Sequence, residues 1–204
     1  MYKYKIGKQI LTIERDSFTN DTPREWGNLG KMLCFHDKYY LGDKNLNYNI
    51  DDFESWEDII KAIIKNEDAL IILPLYLYDH SGLSIKIGSY KDLLPQGHYE
   101  FDSGQVGFIY ATKEDIQNTY KSTNKETLKE VKKQLKREVD IYNDYLEGNI
   151  WQFSIIKEKK CKECGHISEE YIDGCGGFYG DDLKENGMLS HIDKKWHKLI
   201  RKDL

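Results

Sequence analysis

Cys161-Lys162-Glu163-Cys164-Gly165-His166 sets two thiols three residues apart. At that spacing one turn aims both at a single ion, and tetrahedral zinc accepts sulfur and imidazole ligands. Cys161, Cys164 and His166 are therefore candidate metal ligands, with Cys175, His191 or His197 to complete the set and a structural role for the ion. The second Cys-x-x-Cys of a full zinc ribbon is missing, so the plain alternative is a pair of free cysteines at a hairpin tip. Asp79-His80-Ser81 puts an acid, an imidazole and a hydroxyl side by side. Catalytic triads assemble from separate elements, so adjacent residues seldom form one, and a side chain pinning its own turn is the simpler reading. Asp102-Ser103-Gly104 ahead of Gln105 also reads first as a turn. The enzymatic alternative needs Asp79, His80, Asp102 and Gln105 to line one pocket formed by the two central loops; dispersal of these four would end it.

Two charged sets suggest binding. Lys194, Lys195, Lys198, Arg201 and Lys202 form a basic C-terminal group able to meet phosphates, whereas Lys132, Lys133, Lys136 and Arg137 are interleaved with acids and read as a solvated helix face. Asp51, Asp52 and Glu54, with Glu57 and Asp58, could imitate phosphate charge for a DNA-handling protein. Stabilisation of a helix N-terminus explains them more simply. Gly176-Gly177-Phe178-Tyr179-Gly180 lacks the register and the strand-then-helix context of a dinucleotide site.

The elements that would carry these residues follow from periodicity. Tyr2, Tyr4, Ile6 and then Ile10, Leu11, Ile13 predict a strand pair; Met32–Phe35 predicts a short strand after a turn-rich loop. Phe53, Trp56, Ile60, Ile63 and Ile64 predict a helix over about 52–66. Ala69–Tyr78 is a strand in which Pro74 requires an edge position or a bulge. A long loop is expected through Asp79–Gly82 and Gln96–His98. Gln105–Ala111 is a strand, Thr112 caps a helix over 113–120, and Leu128, Val131, Leu135, Val139, Tyr142 and Leu146 mark an amphipathic helix over 125–146 that ends at Gly148. Ile150–Ile156 and His166–Ile172 read as a hairpin with Cys161 and Cys164 at its tip, before a final basic helix holding Trp196, Leu199 and Ile200. The expectation is an α+β fold: a mostly antiparallel sheet with packed helices in a single domain over 1–204, with the hairpin and helix of 150–204 as a candidate subdomain.

Apolar residues make up 39% of the 204, enough for a core despite 32% charged residues, so wholesale disorder is excluded. Thirty basic against thirty-five acidic side chains leave a net charge of −5, which argues against a generally basic nucleic-acid binder. The longest apolar run, Ala69–Tyr78, falls far short of the ~20 residues that span a bilayer. No signal peptide is readable at Met1–Gly7, so a cytoplasmic location without membrane association is expected. P-loop, Gly-x-Ser-x-Gly and His-Glu-x-x-His patterns are missing.

Three blocks carry a resemblance. They are Arg24-Glu25-Trp26-Gly27-Asn28-Leu29-Gly30 with Met32–His36 and Leu41-Gly42-Asp43; Pro74-Leu75-Tyr76-Leu77-Tyr78-Asp79-His80-Ser81-Gly82; and Asp102-Ser103-Gly104-Gln105-Val106-Gly107-Phe108-Ile109-Tyr110. Val139–Gly148 and Cys175–Gly180 extend it. Together they resemble a family of small proteins carried by bacteriophages, plasmids and other mobile elements. This chain has His98-Tyr99-Glu100-Phe101 where the family pattern places Cys-Pro-Trp before the aspartate, and relatives tend to lack the Cys161/Cys164 pair. The resemblance implies a mobile-element setting and supplies no catalytic residues. Its leading implication is an inhibitor of host defence. That would be a non-enzymatic anti-CRISPR protein binding a CRISPR effector nuclease, or another host defence protein, together with its DNA, and blocking DNA binding or cleavage in the bacterial host. The rivals are an enzyme acting on nucleotides or nucleic acid and a zinc-hairpin nucleic-acid-binding module.

Overall fold

Phe108 and Tyr110 alternate with Ile109 and Ala111 along one strand, and the two pairs enter different hydrophobic clusters. A strand apolar on both sides must be covered on both sides. The computed structural model, which describes residues 1–17, 21–44, 46–91, 93 and 101–200, shows how. In the unit Asp21–Glu147, four antiparallel strands lie in the order β3-β6-β4-β5. They are β3 (Lys31–Cys34), β4 (Ala69–Asp79), β5 (Leu83–Ile87) and β6 (Ser103–Thr112). Helix α1 (Trp56–Glu67) brings Ile59 and Ile63 to Leu33, Phe108 and Tyr110. Helix α2 (Lys113–Tyr120) contributes Ile116 to the other cluster. Helix α3 (Lys125–Leu146) brings Val131, Leu135, Val139 and Tyr142 to Met32, Leu75, Ile85 and Ile109.

Local sequence sets the boundaries. Ser55 caps α1 by accepting from the Asp58 amide, so the helix begins four residues later than the apolar spacing predicts; Asn49 caps a separate 3₁₀ turn at Ile50–Asp52. Thr112 and Asn124 cap α2 and α3. Strand β4 is interior, with Pro74 opposite Phe108 on β6. Its carbonyl accepts from Gly88, one residue past the end of β5, so the missing Pro74 N–H faces a stretch where β5 has stopped. The expected long loop after Asp79 instead contains β5: Leu83, Ile85 and Ile87 alternate with Ser84 and Lys86, a period-2 signal behind the Ser81-Gly82 turn.

The second unit joins Met1–Asn20 to Gly148–Leu204, so the C-terminal segment acquires the N-terminal hairpin rather than standing alone. Its antiparallel sheet runs β1-β2-β7-β8, from β1 (Tyr2–Ile6), β2 (Gln9–Arg15), β7 (Ile150–Lys160) and β8 (Ile167–Tyr179). Leu11, Ile13, Phe153, Ile155 and Phe178 face Met188 of α4 (Met188–His191) and Trp196 and Ile200 of α5 (Lys194–Ile200). The architecture is α+β with two antiparallel sheets. No helix among the described residues is long and apolar enough to cross a membrane.

Candidate active site

Because β4 ends where its antiparallel neighbour β6 begins, Tyr78 pairs with Ser103 and Tyr76 with Gln105. The register therefore carries Asp79-His80 to the start of β6. His80 Nδ1 lies 3.0 Å from Asp102 Oδ2, and the imidazole stacks on Tyr78 with ring centroids 5.9 Å apart. On the other side of β6, β3 ends at Cys34 opposite Gly107, and the chain continues beside β6 through the Phe35 amide, which donates to the Val106 carbonyl at 2.7 Å. Three chain segments thus meet at one end of the sheet. They enclose a cleft of about 560 Å³ whose lining includes His36, Asp37, Asp79, Asp102, Ser103 and Gln105.

A bulge shapes this end. Leu75 pairs with Gly107 and Tyr76 with Gln105, so Val106 is the extra residue, and residues 103–105 fall out of phase with the strand beyond. Gly107 is demanded by packing: a Cβ there would collide with the Leu33 carbonyl. Side chains are then set by polar contacts. The Tyr39 hydroxyl donates to the Asp79 carboxylate, a bond that raises the Tyr39 pKa because ionisation would place two negative charges together. Tyr39 also packs on His36, with centroids 4.9 Å apart, and His36 Nδ1 accepts from the Lys38 amide.

Of the four residues that the enzymatic reading needed in one pocket, Asp79, Asp102 and Gln105 line this cleft, whereas His80 lies outside the lining and reaches it through its 3.0 Å contact with Asp102. His36, Asp37, Lys38 and Ser103 were missed. Only the register of β3 against β6 brings Phe35–Lys38 to the site, and nothing in their own pattern announces it. A larger groove, about 630 Å³, lies along Lys31, Glu67, Asp68, Thr112 and Asp115, where Lys31 pairs with Glu67 at 3.0 Å and the Thr112 hydroxyl donates to Asp115 at 2.7 Å.

The remaining expected sites are scattered. Cys161 and Cys164 occupy the exposed turn between β7 and β8, whereas Cys175 stands opposite Phe153. That is eight residues along β8 from Ile167, roughly 26 Å at the rise of a strand, so Cys175 cannot share an ion with the pair. His191 packs edge-on against Phe178, and His197 Nε2 meets the Ile192 carbonyl at 2.9 Å. Among the described residues, no three His, Cys, Asp or Glu side chains are grouped to hold a metal. Backbone N–H groups of Cys164 and Glu163 hold the Cys161 thiol below its ordinary pKa. Asp51 and Asp52 sit in the 3₁₀ turn and Glu54 follows it, all exposed and outside the first turn of α1, whose acids are Glu57 and Asp58. Lys194, Lys195 and Lys198 are exposed on α5, with Lys195 bound to Gln9 at 2.9 Å. Arg201, Lys202 and the 96–98 part of the expected loop lie outside the described residues.

No family model, no curated protein and no solved structure matches the chain. The motif blocks that carried the resemblance divide by their physical roles. Two of them, 74–82 and 102–110, build the cleft. Those of 24–43 and 139–148 contribute to a buried ionic knot in the same unit, whereas 175–180 belongs to the other unit, where β8 ends. Arg24 makes a two-pronged bond to Asp43, Nε–Oδ1 2.8 Å and Nη2–Oδ2 3.2 Å, and donates to the Gly30 carbonyl at 2.6 Å. Glu138 of α3 accepts from the amides of Leu29 and Gly30, each at 3.0 Å, and Tyr142 accepts from the Gly42 amide at 3.1 Å. Gly42, at φ +74°, is required because a Cβ would strike the Met32 carbonyl.

Proposed function

We propose that this chain is an enzyme acting on a nucleoside-containing substrate in the cleft at the end of the β3-β6-β4 sheet, with His80 as general base and Asp102 as the group that orients it. The observation that carries this reading is the convergence of Asp79, Asp102 and Gln105 on one cleft where β4 ends and β6 begins, with the His80 imidazole held 3.0 Å from Asp102 beside it. A carboxylate on Nδ1 favours the tautomer protonated there and leaves the lone pair on Nε2 to take a proton from water or a substrate hydroxyl. Asp37, Asp79 and Asp102 outnumber Lys38, so the lining repels polyanions. It suits the neutral base and ribose: carboxylates bind the sugar hydroxyls, the Gln105 amide both donates and accepts at a base edge, and Phe35 and Phe101 offer apolar ring surface. The test is turnover of a panel of nucleosides and nucleotides followed by chromatography. His80→Gln and Asp102→Asn should each lower the rate by about 10²–10⁴-fold. Failure of the folded wild type to bind or convert any of the panel would overturn the reading.

A second reading keeps the setting that the resemblance implies, an anti-defence protein that binds a CRISPR effector nuclease. The exposure of Lys194, Lys195 and Lys198 together on α5 favours it, since a salt-sensitive contact with nuclease-bound DNA needs such a surface. Guided DNA cleavage titrated with the protein would respond near stoichiometry, and the response would weaken when these lysines are reversed to glutamate. Insensitivity to that reversal would count against a charge-based contact.

A further inference from the structure

Cys161 and Cys164 share one closed, exposed turn between β7 and β8. The turn is closed by the Cys161 amide on the His166 carbonyl at 2.8 Å and by the Gly165 amide on the Cys161 carbonyl at 3.1 Å. Gly165 takes φ +72°, the left-handed conformation that lets the chain reverse directly behind the second cysteine. A Cys-x-x-Cys turn closed in this way can aim two sulfurs at one soft cation.

The chain supplies two ligands where tetrahedral zinc takes four. Cys175 is too far along β8, His191 and His197 are engaged against the α4–α5 side of the sheet, and His166 does not gather with the cysteines into a three-ligand group. We propose that the Cys161/Cys164 turn is half of a zinc site, completed by the same turn of a second copy of this chain, so that four thiols release four protons and hold one ion between two hairpin tips. The setting of the turn permits this approach. Pairing of β7 with β2 stops at Lys157, while β7 and β8 stay paired out to Lys160 and Ile167. The Glu158 amide still donates to the Lys8 carbonyl of the β1–β2 turn, so two residue pairs and the turn itself project beyond that hairpin, about 7 Å of paired strand, which lets two tips meet before their sheets do. Across residues 157–170 four lysines and four glutamates cancel, so two copies carry no net repulsion into the contact, and Ile167 is exposed beside it. This inference does not depend on the cleft.

Cobalt(II) added to the reduced full-length chain is the probe, read by absorbance and by sedimentation. The expected result is saturation at half an equivalent per chain, with intense thiolate-to-cobalt charge transfer and tetrahedral d–d bands. Mass should rise in parallel from 24.0 kDa to twice that value and return on chelation, and zinc should displace the cobalt. Cys161→Ser and Cys164→Ser should lose both signals with unchanged far-ultraviolet circular dichroism, because the tip is solvent-exposed. Cys175→Ser and His166→Ala should retain both. Saturation at one equivalent with monomer mass, loss of the spectrum in His166→Ala, or a dimer that persists in Cys161→Ser would each overturn the proposal, as would absence of cobalt absorbance in the folded wild type.

Discussion

Cys34 and Tyr142 face each other within the unit that holds the cleft, and burial pushes both pKa values up to about 12. Burial moves Tyr110 in the same direction. In each case the folded chain keeps a proton that the unfolded chain releases near the ordinary value. The stabilisation is complete below that value and is lost as pH rises toward the folded one. Urea midpoints should accordingly hold between pH 7 and 8 and fall progressively from about pH 9 to 12, and Cys34→Val should remove part of that fall. The same shifts order the thiols. At pH 8 iodoacetamide should reach Cys161 first, helped by the amides around its sulfur, and Cys34 last, as peptide mass mapping would show. A Cys34 that alkylates as fast as Cys161 in the folded state would contradict the packing described for it. The ionic knot is the costliest residue-scale feature to disturb. Glu138→Ala strips two amides and a guanidinium whose side chain is 2% exposed, and it should lower stability by about 3–5 kcal/mol in denaturant titrations.

At the scale of elements, the helices were legible and the site was only half so. Leu128 to Leu146 recur every three or four residues and Thr112 is a cap residue in plain view, so α2 and α3 follow from local chemistry, whereas the Ser55 cap that starts α1 four residues after the predicted boundary was passed over. Strand β5 was missed because five residues of alternation are easily absorbed into a loop, although its period was present. What periodicity cannot supply is register. Asp79-His80 and Asp102 are more than twenty residues apart, and Asp102-Ser103-Gly104 reads as a turn although Ser103 and Gly104 open β6; they become a pair because β4 and β6 are antiparallel neighbours with Tyr78 opposite Ser103. The bulge at Val106 is invisible for the same reason, being a property of two strands. Its glycine gives the element-scale prediction. Gly107→Ala must push β3 away from β6 at Leu33, so it should cost more than a helix-surface change, about 2–4 kcal/mol, and should disturb the cleft. Lys129→Ala on the exposed face of α3 should stay within ~0.5 kcal/mol. Equal effects of the two would mean that the β3–β6 approach has slack.

At the scale of the molecule, the two units differ in how the chain builds them. Asp21–Glu147 is continuous and covers both faces of its sheet from within that span, with α1 on one side and α3 on the other. The other unit is discontinuous: β2 lies between β1 and β7, and its Leu11 and Ile13 are fully buried against residues of the C-terminal segment. Burying each of those side chains is worth about 1.5–3 kcal/mol, and the pair together approach the ~5–15 kcal/mol by which a whole domain is stable. A fragment of residues 21–147 should therefore fold cooperatively and retain the imidazole resonance of a His80 paired with Asp102. A fragment of 148–204 should stay unfolded by circular dichroism until a peptide of residues 1–20 is supplied. Strand β7 then gains its β2 partner and the apolar face of the sheet closes over Trp196. Folding of 148–204 by itself would show that the N-terminal hairpin is an accessory to that core. Failure of 21–147 to fold would show that the ionic knot and the two-sided sheet do not suffice without the rest of the chain.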